Sequence, residues 1–295
     1  MSKNPVIFIV GPTAVGKSAF AIELALKSGG EIVSADSMQV YRGLDLGTAK
    51  PSLDERKSVP HHMIDIQDPK YDYSAGAYQK DATSVISDIM SRGKQVIVCG
   101  GSGLYIHSLL YELDFSGRER DDTLREELKR EAEEKGPGVL YEKLLEIDPS
   151  AADRVHPNNV KRVIRALERV YGEVENSGIR NFEKTWDTKR RYEARIIRLT
   201  EDREKLYKRI EKRAESFFEN GLVGEVRGLL NSGVPRDCTA MQGIGYKEVA
   251  GLLAGEYDED EALRLVKQNT RRYAKRQESW FQRYTDAEII NISNE

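Results

Sequence analysis

The apolar positions in the first third of the chain follow two alternating patterns. An unbroken apolar run at 6–10 and the apolar stretches within 31–34 and 95–99 are typical of strands buried on both faces of a parallel sheet. The stretch after the first run and the segment 76–91 place apolar residues at helical spacing instead. A strand of alternating character is predicted at 194–199, followed by helices to about residue 284. The alternation predicts an α/β fold, in which helices flank a parallel sheet.

Between residues 118 and 171 the pattern changes to a charged segment of helical period without a strand signal. Gly136-Pro137-Gly138 is expected to separate two helices, and a polar stretch at 172–190 follows the segment. We therefore predict an all-helical insertion at 115–191, which divides the α/β core into 1–114 and 192–295. The leucines expected on its sparse apolar face are Leu124, Leu128, Leu140, Leu144 and Leu145.

Composition and charge narrow the class of protein. At 295 residues, with 39% apolar and 32% charged residues, the chain is typical of a soluble globular protein of about two domains. It has no apolar run of the roughly 18 residues that span a bilayer, and its first residues do not resemble a signal peptide. Cys99 and Cys238 are too few for a disulfide framework or a zinc site built on cysteines. We expect a cytoplasmic protein.

The strongest chemical signal follows the first predicted strand. Residues 11–18 match the complete pattern G-x-x-x-x-G-K-[ST] and lead into a predicted helix. In such a loop, backbone N–H groups and the lysine hold phosphate, and the last hydroxyl, here of Ser18, binds Mg²⁺. A fold similar to the P-loop NTPases is predicted, but the loop by itself does not identify ATP as the ligand. The predicted phosphate-binding residues are Gly11, Pro12, Thr13, Ala14, Val15, Gly16, Lys17 and Ser18.

Other polar groups follow the carboxyl ends of the predicted strands, where ligands bind in parallel sheets. Asp36 follows the second strand and could hold Mg²⁺ or accept a proton, and Gln39 could read the edge of a base. The strand at 95–99 ends in Cys99-Gly100, without the metal-binding aspartate usual in nucleoside triphosphatases. An arginine-rich lid of the kinase type is also missing. This combination favours a reaction in which pyrophosphate is the leaving group.

The net charge is only −3, but positive charge is concentrated at 264–283. On a helix, Arg264, Lys267, Arg271 and Lys275 would form one stripe, close to Tyr273 and other aromatic residues. Such a stripe suits a nucleic-acid backbone. The alternative interpretation is an ordinary solvated helix face.

Several long motifs, in one order, resemble the bacterial tRNA dimethylallyltransferases, also called isopentenyl-pyrophosphate transferases. The resemblance covers nearly the whole chain. Ser18 and Ser102 stand where many relatives have threonine, which keeps the hydroxyl, whereas 171–190 departs from the pattern of the family. The motifs lie at 11–18, 36–43, 46–51, 60–65, 100–105, 156–159 with Arg162 and Arg165, 242–248 and 271–277.

The resemblance implies transfer of a dimethylallyl group from dimethylallyl diphosphate to N6 of adenosine 37, in tRNAs that read codons starting with U. Asp36 would be the general base, and Thr13 and Arg213 would act on the diphosphate, with Mg²⁺ on Ser18. The insertion would clamp the anticodon stem, and a monomer without membrane contact is expected. The implied tRNA contacts are Asp36, Ser37, Met38, Gln39, Ser102, Arg125, Lys161, Arg162, Val163, Ile164, Arg165, Gln242, Gly243, Ile244, Gly245, Tyr246, Lys247, Lys275, Arg276, Gln277 and Trp280.

Two other functions remain open on the residues alone. The first is a P-loop kinase for a small molecule or nucleotide, although such a substrate does not need a basic helix. The second is a P-loop protein that binds RNA without catalysis, although an aspartate beside a complete phosphate loop disfavours it. His61 and His62 lack partner ligands at metal-binding spacing, so we predict a structural or substrate-lining role for them.

Overall fold

The chain divides into two compact units in a computed structural model that describes residues 5–113, 115, 122–171, 185–186 and 188–294. One unit comprises residues 1–112 and 189–295, and the other comprises 113–188. The predicted insertion at 115–191 therefore starts two residues later, and ends three residues later, than the second unit does. Arg190 binds both carboxylate oxygens of Asp286 at 2.7 Å, and the Arg191 N–H donates to the Leu110 carbonyl at 2.8 Å. These contacts place the last predicted residues of the insertion in the first unit.

A six-stranded sheet of parallel strands forms the centre of the first unit. Its order is β3-β2-β4-β1-β5-β6, so the first strand of the chain lies in the middle. The four strands predicted from apolar patterns are confirmed as β1, β2, β4 and β5, whereas the two edge strands were not predicted. The strands are β1 (Val6–Val10), β2 (Glu31–Ser34), β3 (His61–His62), β4 (Val96–Cys99), β5 (Ala194–Thr200) and β6 (Glu288–Asn291).

Helices pack against this sheet. The small residues Ala21 and Ala25 of α1 lie in a core cluster with sheet residues such as Ile9 and Ile97, which lets this helix approach the sheet closely. None of the helices in the described ranges is long and apolar enough to cross a membrane. The helices of this unit are α1 (Lys17–Ser28), α2 (Leu53–Ser58), α3 (Ala75–Ser91), α4 (Gly103–Leu110), α9 (Arg203–Glu219), α10 (Leu222–Asn231), α11 (Tyr246–Leu253) and α12 (Glu259–Phe281).

The second unit is helical in all of its described elements, as predicted. These are α5 (Asp122–Lys135), α6 (Gly138–Ile147), α7 (Pro149–Ala152) and α8 (Val160–Tyr171), with the predicted break between α5 and α6. Leu128, Leu140 and Leu144 lie in its core, but Leu145 is 45% exposed, so its predicted place on the apolar face was wrong. Most of the polar stretch at 172–190 lies outside the described residues.

The edge strand β3 is held by a polar network. The Glu31 carboxylate on β2 accepts hydrogen bonds from His62 Nε2 at 2.8 Å and from both terminal nitrogens of Arg92 at the end of α3. Chiefly because Arg92 donates to it, the pKa of Glu31 is lowered to about 2. His61 Nδ1 lies 2.8 Å from the Val59 carbonyl. These contacts give the two histidines a structural role, in agreement with the sequence prediction.

We expect Glu31→Gln to lower the thermal unfolding midpoint by about 2–4 °C at pH 7, the shift for roughly 1 kcal/mol in a chain of this size. The folded-state pKa of Glu31 lies below its unfolded value, so the network stabilises the fold above pH 4.5 and is lost as the pH falls toward 2. As the pH falls from 4.5 toward 2, the stability of the variant should therefore decrease less steeply than that of the wild type. Thermal scans at stepped pH measure both effects. Glu23→Gln, which breaks the exposed pair with Lys27, is the control, and an equal effect in both variants would contradict the assignment.

Candidate active site

The phosphate loop, residues 11–18, connects the central strand β1 to α1. Gly11 has φ +147°, and a Cβ there would lie 2.5 Å from the Leu199 carbonyl oxygen on β5, so a side chain is excluded. Gly16 has φ +98° and precedes the first residue of α1, Lys17. The loop therefore curls tightly against the sheet and ends at a helix N-terminus, where N–H groups are free to bind an anion.

The Lys17 side chain folds back over this loop. Its ammonium donates to the carbonyl oxygens of Gly11 at 3.0 Å and Pro12 at 2.7 Å. Burial, with a smaller effect of the nearby Arg213 guanidinium, lowers the pKa of Lys17 to about 8. The ammonium is thus held at the loop with little solvation, ready to interact with an incoming anion.

The three predicted catalytic residues come together beside this lysine. Arg213 on α9 donates from Nη1 to the Thr13 hydroxyl at 3.5 Å. Burial lowers the pKa of Arg213, and the nearby negative charge of Asp36 partly offsets this shift. The same charge also acts to raise the pKa of Lys17. A carboxylate and two cations therefore share one site at the carboxyl ends of the strands.

The Asp36 carboxylate is oriented by its own turn. Its Oδ1 accepts the Met38 N–H at 2.9 Å, and the carboxylate is half-buried. Ser37, the next residue, donates its N–H to the Ser102 hydroxyl at 2.9 Å. Gly100 fits because a Cβ there would lie 2.2 Å from the Ala35 carbonyl oxygen. The ends of β2 and β4 are thus joined directly, which fixes the direction of the Asp36 side chain.

The amide of Gln39 is satisfied within the protein. The side chain is 9% exposed. Its Oε1 accepts from the Ser34 hydroxyl at 3.0 Å, and its Nε2 donates to the Thr48 carbonyl at 3.2 Å. A contact with a base would require breaking these hydrogen bonds. In this structure Gln39 holds the loop around Thr48 against β2, and its reading of a base stays a prediction.

The predicted basic stripe on α12 is largely neutralised by neighbouring acids. Lys267 and Arg271 lie 2.5 and 2.6 Å from the carboxylates of Glu215 and Glu211 on α9. Arg264 pairs with Glu261, one turn earlier on the same helix. Arg264, Lys267 and Arg271 are thus engaged in ion pairs, two of them between helices, and are less available to a nucleic-acid backbone than the sequence suggested.

Among the described residues, Lys275 is the member of the stripe that forms no ion pair, and two further unpaired cations lie beside it on the helix. Arg272, Lys275 and Arg276 are exposed and pair with no acid among the residues that the structure describes. Their spacing places them on one side of α12. We call these three residues the basic face.

Two residues of α12 that were predicted to contact tRNA, Gln277 and Trp280, pack against the segment 101–103. Gln277 is 5% exposed and accepts the Thr13 N–H of the phosphate loop at 2.7 Å. Trp280 is half-buried, and a Cβ on Gly103 would lie 2.6 Å from its indole ring. Tight packing against the segment 101–103 explains both positions. The sequence did not predict this role, because a polar residue such as glutamine is normally expected on the exposed side of a helix, whereas Gln277 lies on the buried side.

The predicted contacts at 242–247 divide in the same way. Gln242 and Lys247 are exposed and Ile244 is half-buried. Gly243, Gly245 and Tyr246 are buried, and the Tyr246 hydroxyl donates to Glu225 at 2.5 Å. Of these residues, Gln242, Ile244 and Lys247 have side chains that a partner could contact.

In the second unit, some of the residues predicted to contact tRNA are exposed and others are buried. Lys161, Arg162 and Arg165 are exposed on α8. Val163 and Ile164 are 0% and 3% exposed within the core of the unit, so their side chains are not available to a ligand in this structure. Arg125 is committed to a 2.8 Å ion pair with Glu168 and is only 19% exposed.

Comparisons with known proteins identify the family of this chain. The family model described as IPP transferase matches residues 39–284. The chain belongs to the IPP transferase family. It is 46% identical over 293 residues to a protein of Alkaliphilus metalliredigens named tRNA dimethylallyltransferase, covering 99% of this chain and 93% of the relative. A protein of the same name from Geobacter metallireducens is 48% identical over 289 residues, which is 98% of this chain and 92% of the relative.

Solved structures of the family share the fold. A tRNA isopentenylpyrophosphate transferase of Bacillus halodurans matches with a TM-score of 0.71 and 40% identity, covering 98% of this chain and 90% of that one. A eukaryotic dimethylallyltransferase described as acting on tRNA matches with a TM-score of 0.78 and 30% identity, over 97% of this chain and 73% of that one. The phosphate loop and Asp36 precede the family-model match but lie within the region covered by these relatives.

Proposed function

We propose that this protein transfers the dimethylallyl group of dimethylallyl diphosphate to N6 of adenosine 37 in tRNAs that read codons starting with U, and releases diphosphate. The observation that carries the proposal is the shared site of Asp36, Lys17 and Arg213 at the phosphate loop. A base next to a phosphate clamp suits attack by a weak nucleophile on a carbon that bears a diphosphate. The names of the similar proteins support the same reaction.

The donor would bind through its diphosphate. Backbone N–H groups at the end of the loop, residues 14–18, the Lys17 ammonium and the Arg213 guanidinium would surround its oxygens, while the Thr13 N–H stays with Gln277. The bond from the allylic carbon to oxygen lengthens as negative charge accumulates on the diphosphate, and these groups stabilise that charge. Two of the three N–H donors of the Lys17 ammonium hold the Gly11 and Pro12 carbonyls, and the third would donate to phosphate.

The acceptor would be activated at Asp36. An exocyclic adenine amine is a weak nucleophile, because its lone pair is delocalised into the ring. As the new bond between nitrogen and carbon forms, the carboxylate of Asp36 takes one proton from that amine. The Met38 N–H, which donates to the same carboxylate, keeps it oriented during the transfer. The base must first leave the anticodon-loop stack, which costs a few kcal/mol.

Mg²⁺ fits this site only together with a bound diphosphate. Ser18 is exposed and its hydroxyl makes no hydrogen bond among the described residues. Those residues contain no group of three histidine, cysteine or acidic side chains that could hold a metal on their own. Ser18 would therefore contribute one oxygen ligand, with the others coming from phosphate and water, as Mg²⁺ prefers. When bound, the ion neutralises charge on the leaving group.

Contact with tRNA is assigned to the exposed cations. On the first unit these are the basic face and Lys247, and on the second unit Lys161, Arg162 and Arg165. The second unit would hold the anticodon stem, while Ser37 and Met38 line the approach to Asp36. Phosphates of the backbone are the natural ligands of such side chains.

The decisive experiment presents labelled dimethylallyl diphosphate or γ-labelled ATP to the protein, each with and without unmodified tRNA. We expect label in tRNA only with the allylic donor, and no phosphate release from ATP. An anticodon stem-loop with guanosine in place of adenosine 37 is the control and should accept no label. Phosphate release from ATP, stimulated by tRNA, would favour a kinase or nucleotide-driven reaction instead.

A variant of the basic face tests RNA binding. Changing Arg272, Lys275 and Arg276 together to Ser should weaken tRNA binding about tenfold or more and lower the slope of log affinity against log salt by about 2–3. Filter binding at several salt concentrations measures both quantities. Lys205, Lys208 and Lys212, three exposed lysines on one side of α9, provide a control with the same change in charge. Equal effects of the two triple variants would mean that only net charge matters.

A further inference from the structure

One peptide group of the phosphate loop is held from both sides. The carbonyl oxygen of Pro12 accepts from the Lys17 ammonium at 2.7 Å, and the N–H of the same peptide, on Thr13, donates to Gln277 Oε1 at 2.7 Å. Rotation of this peptide would break both hydrogen bonds. Gln277 thus fixes the orientation of the carbonyl that holds Lys17.

Gln277 is itself anchored on the opposite side. Its Nε2 donates to the Gly101 carbonyl at 3.0 Å, so both polar atoms of the amide are used. The Tyr273 hydroxyl, one helical turn earlier, donates to the same carbonyl at 3.4 Å. A Cβ on Gly101 would lie 2.1 Å from Gln277 Nε2, so glycine at this position makes room for the link.

The same helical turn carries the basic face. Arg276 immediately precedes Gln277, and Arg272 and Lys275 lie within five residues of it, all exposed. One segment of α12 therefore presents three exposed cations to solvent and one amide to the phosphate loop. A polyanion bound to these cations would contact the same helical turn that holds the loop.

We propose that Gln277 is a positioning residue that fixes the phosphate loop for diphosphate binding and makes the affinity for diphosphate depend on RNA at the basic face. This proposal rests on the proposed function for the identity of the RNA, but its diphosphate part rests only on the loop. By linkage, diphosphate strengthens RNA binding by the same factor as RNA strengthens diphosphate binding.

The test measures the binding of inorganic pyrophosphate with Mg²⁺ by titration calorimetry, with and without an anticodon stem-loop RNA. Gln277→Met has a similar length but does not form these amide hydrogen bonds. We expect it to bind pyrophosphate about tenfold more weakly than the wild type and to show no enhancement by RNA. The basic-face triple variant should bind pyrophosphate normally without RNA, but should also lose the enhancement.

Gly101→Ala reaches the same link by a second route, because its methyl group displaces the amide. It should weaken pyrophosphate binding similarly, and the double variant Gly101→Ala with Gln277→Met should be no weaker than either single variant. Gln268→Ala, on the same helix, removes a side chain that makes no hydrogen bond among the described residues and is the matched control. This pair of variants keeps the test informative if Gln277→Met folds poorly.

Steady-state kinetics separate positioning from general damage. Both variants should raise KM for the allylic donor about tenfold and change kcat at saturation by less than threefold. Pyrophosphate affinity within twofold of wild type in both variants, or an unchanged enhancement by RNA, would overturn the proposal. Failure of prenyl transfer in the wild type, with pyrophosphate binding as expected, would instead reject the proposed function and leave the link intact.

Discussion

Asp36→Asn is expected to lower the rate of prenyl transfer in a single turnover by about 10²–10⁴-fold, the usual contribution of a general base. Asparagine keeps the Oδ1 atom that accepts the Met38 N–H, so the local turn should survive. What is lost is the ability to take a proton from the adenine amine. Rapid-quench measurements with enzyme in excess over labelled donor report this step directly.

The binding steps should be nearly unchanged in this variant. Affinities for tRNA and for pyrophosphate are expected within about threefold of the wild type, because Asp36 is not a phosphate ligand. Asp54→Asn, at a carboxylate that is 92% exposed and paired only with Lys57, is the control and should transfer normally. A single-turnover rate near that of the wild type in Asp36→Asn would remove this carboxylate from the mechanism.

Lys17→Ala is expected to lower kcat/KM for the allylic donor by about 10²–10³-fold, the cost of losing one charged group that stabilises the transition state. Two effects combine in this loss. The diphosphate loses a cation in a site of low solvation, and the carbonyls of Gly11 and Pro12 lose their donor. Steady-state assays at varied donor and saturating tRNA measure the change.

The matched control lies at the other end of the same helix. Lys27 is exposed and pairs only with Glu23, so Lys27→Ala removes one positive charge from α1 without touching the loop. Its kinetic constants should equal those of the wild type. tRNA affinity should be unchanged in both variants, and a parallel loss of tRNA binding in Lys17→Ala would mean that this lysine shapes more than the donor site.

The central strands were predictable from their apolar positions, because β1 and β4 are apolar throughout, β2 has a buried apolar pair at its centre and β5 alternates. The edge strands lack that signal. β3 consists of His61, which binds a backbone carbonyl, and His62, which binds a carboxylate. On β6, the apolar residue Ile289 is 59% exposed. Helix α4 was not predicted either, because it is buried on all sides rather than on one. Its residues from Tyr105 to Leu110 are all buried, so it shows no helical alternation of apolar and polar positions.

For the site, the phosphate loop and Asp36 could be located from the sequence because their chemistry depends on residues that are close in the chain. The environment of α12 could not. Lys267 and Arg271 are neutralised by Glu215 and Glu211, which precede them by 52 and 60 positions, and no local pattern predicts that pairing. Whether a cation is available to a partner is a property of the packed structure.

The central place of β1 has a consequence for how the chain is made. This first strand pairs with β4 on one side and with β5 on the other, and Gly11 at its end packs against the Leu199 carbonyl of β5. Because a ribosome synthesises the N-terminus first, β1 and its loop wait without one neighbour until residues 194–200 emerge. We therefore expect the loop at 11–18 to gain its native support only after about two-thirds of the chain has been synthesised.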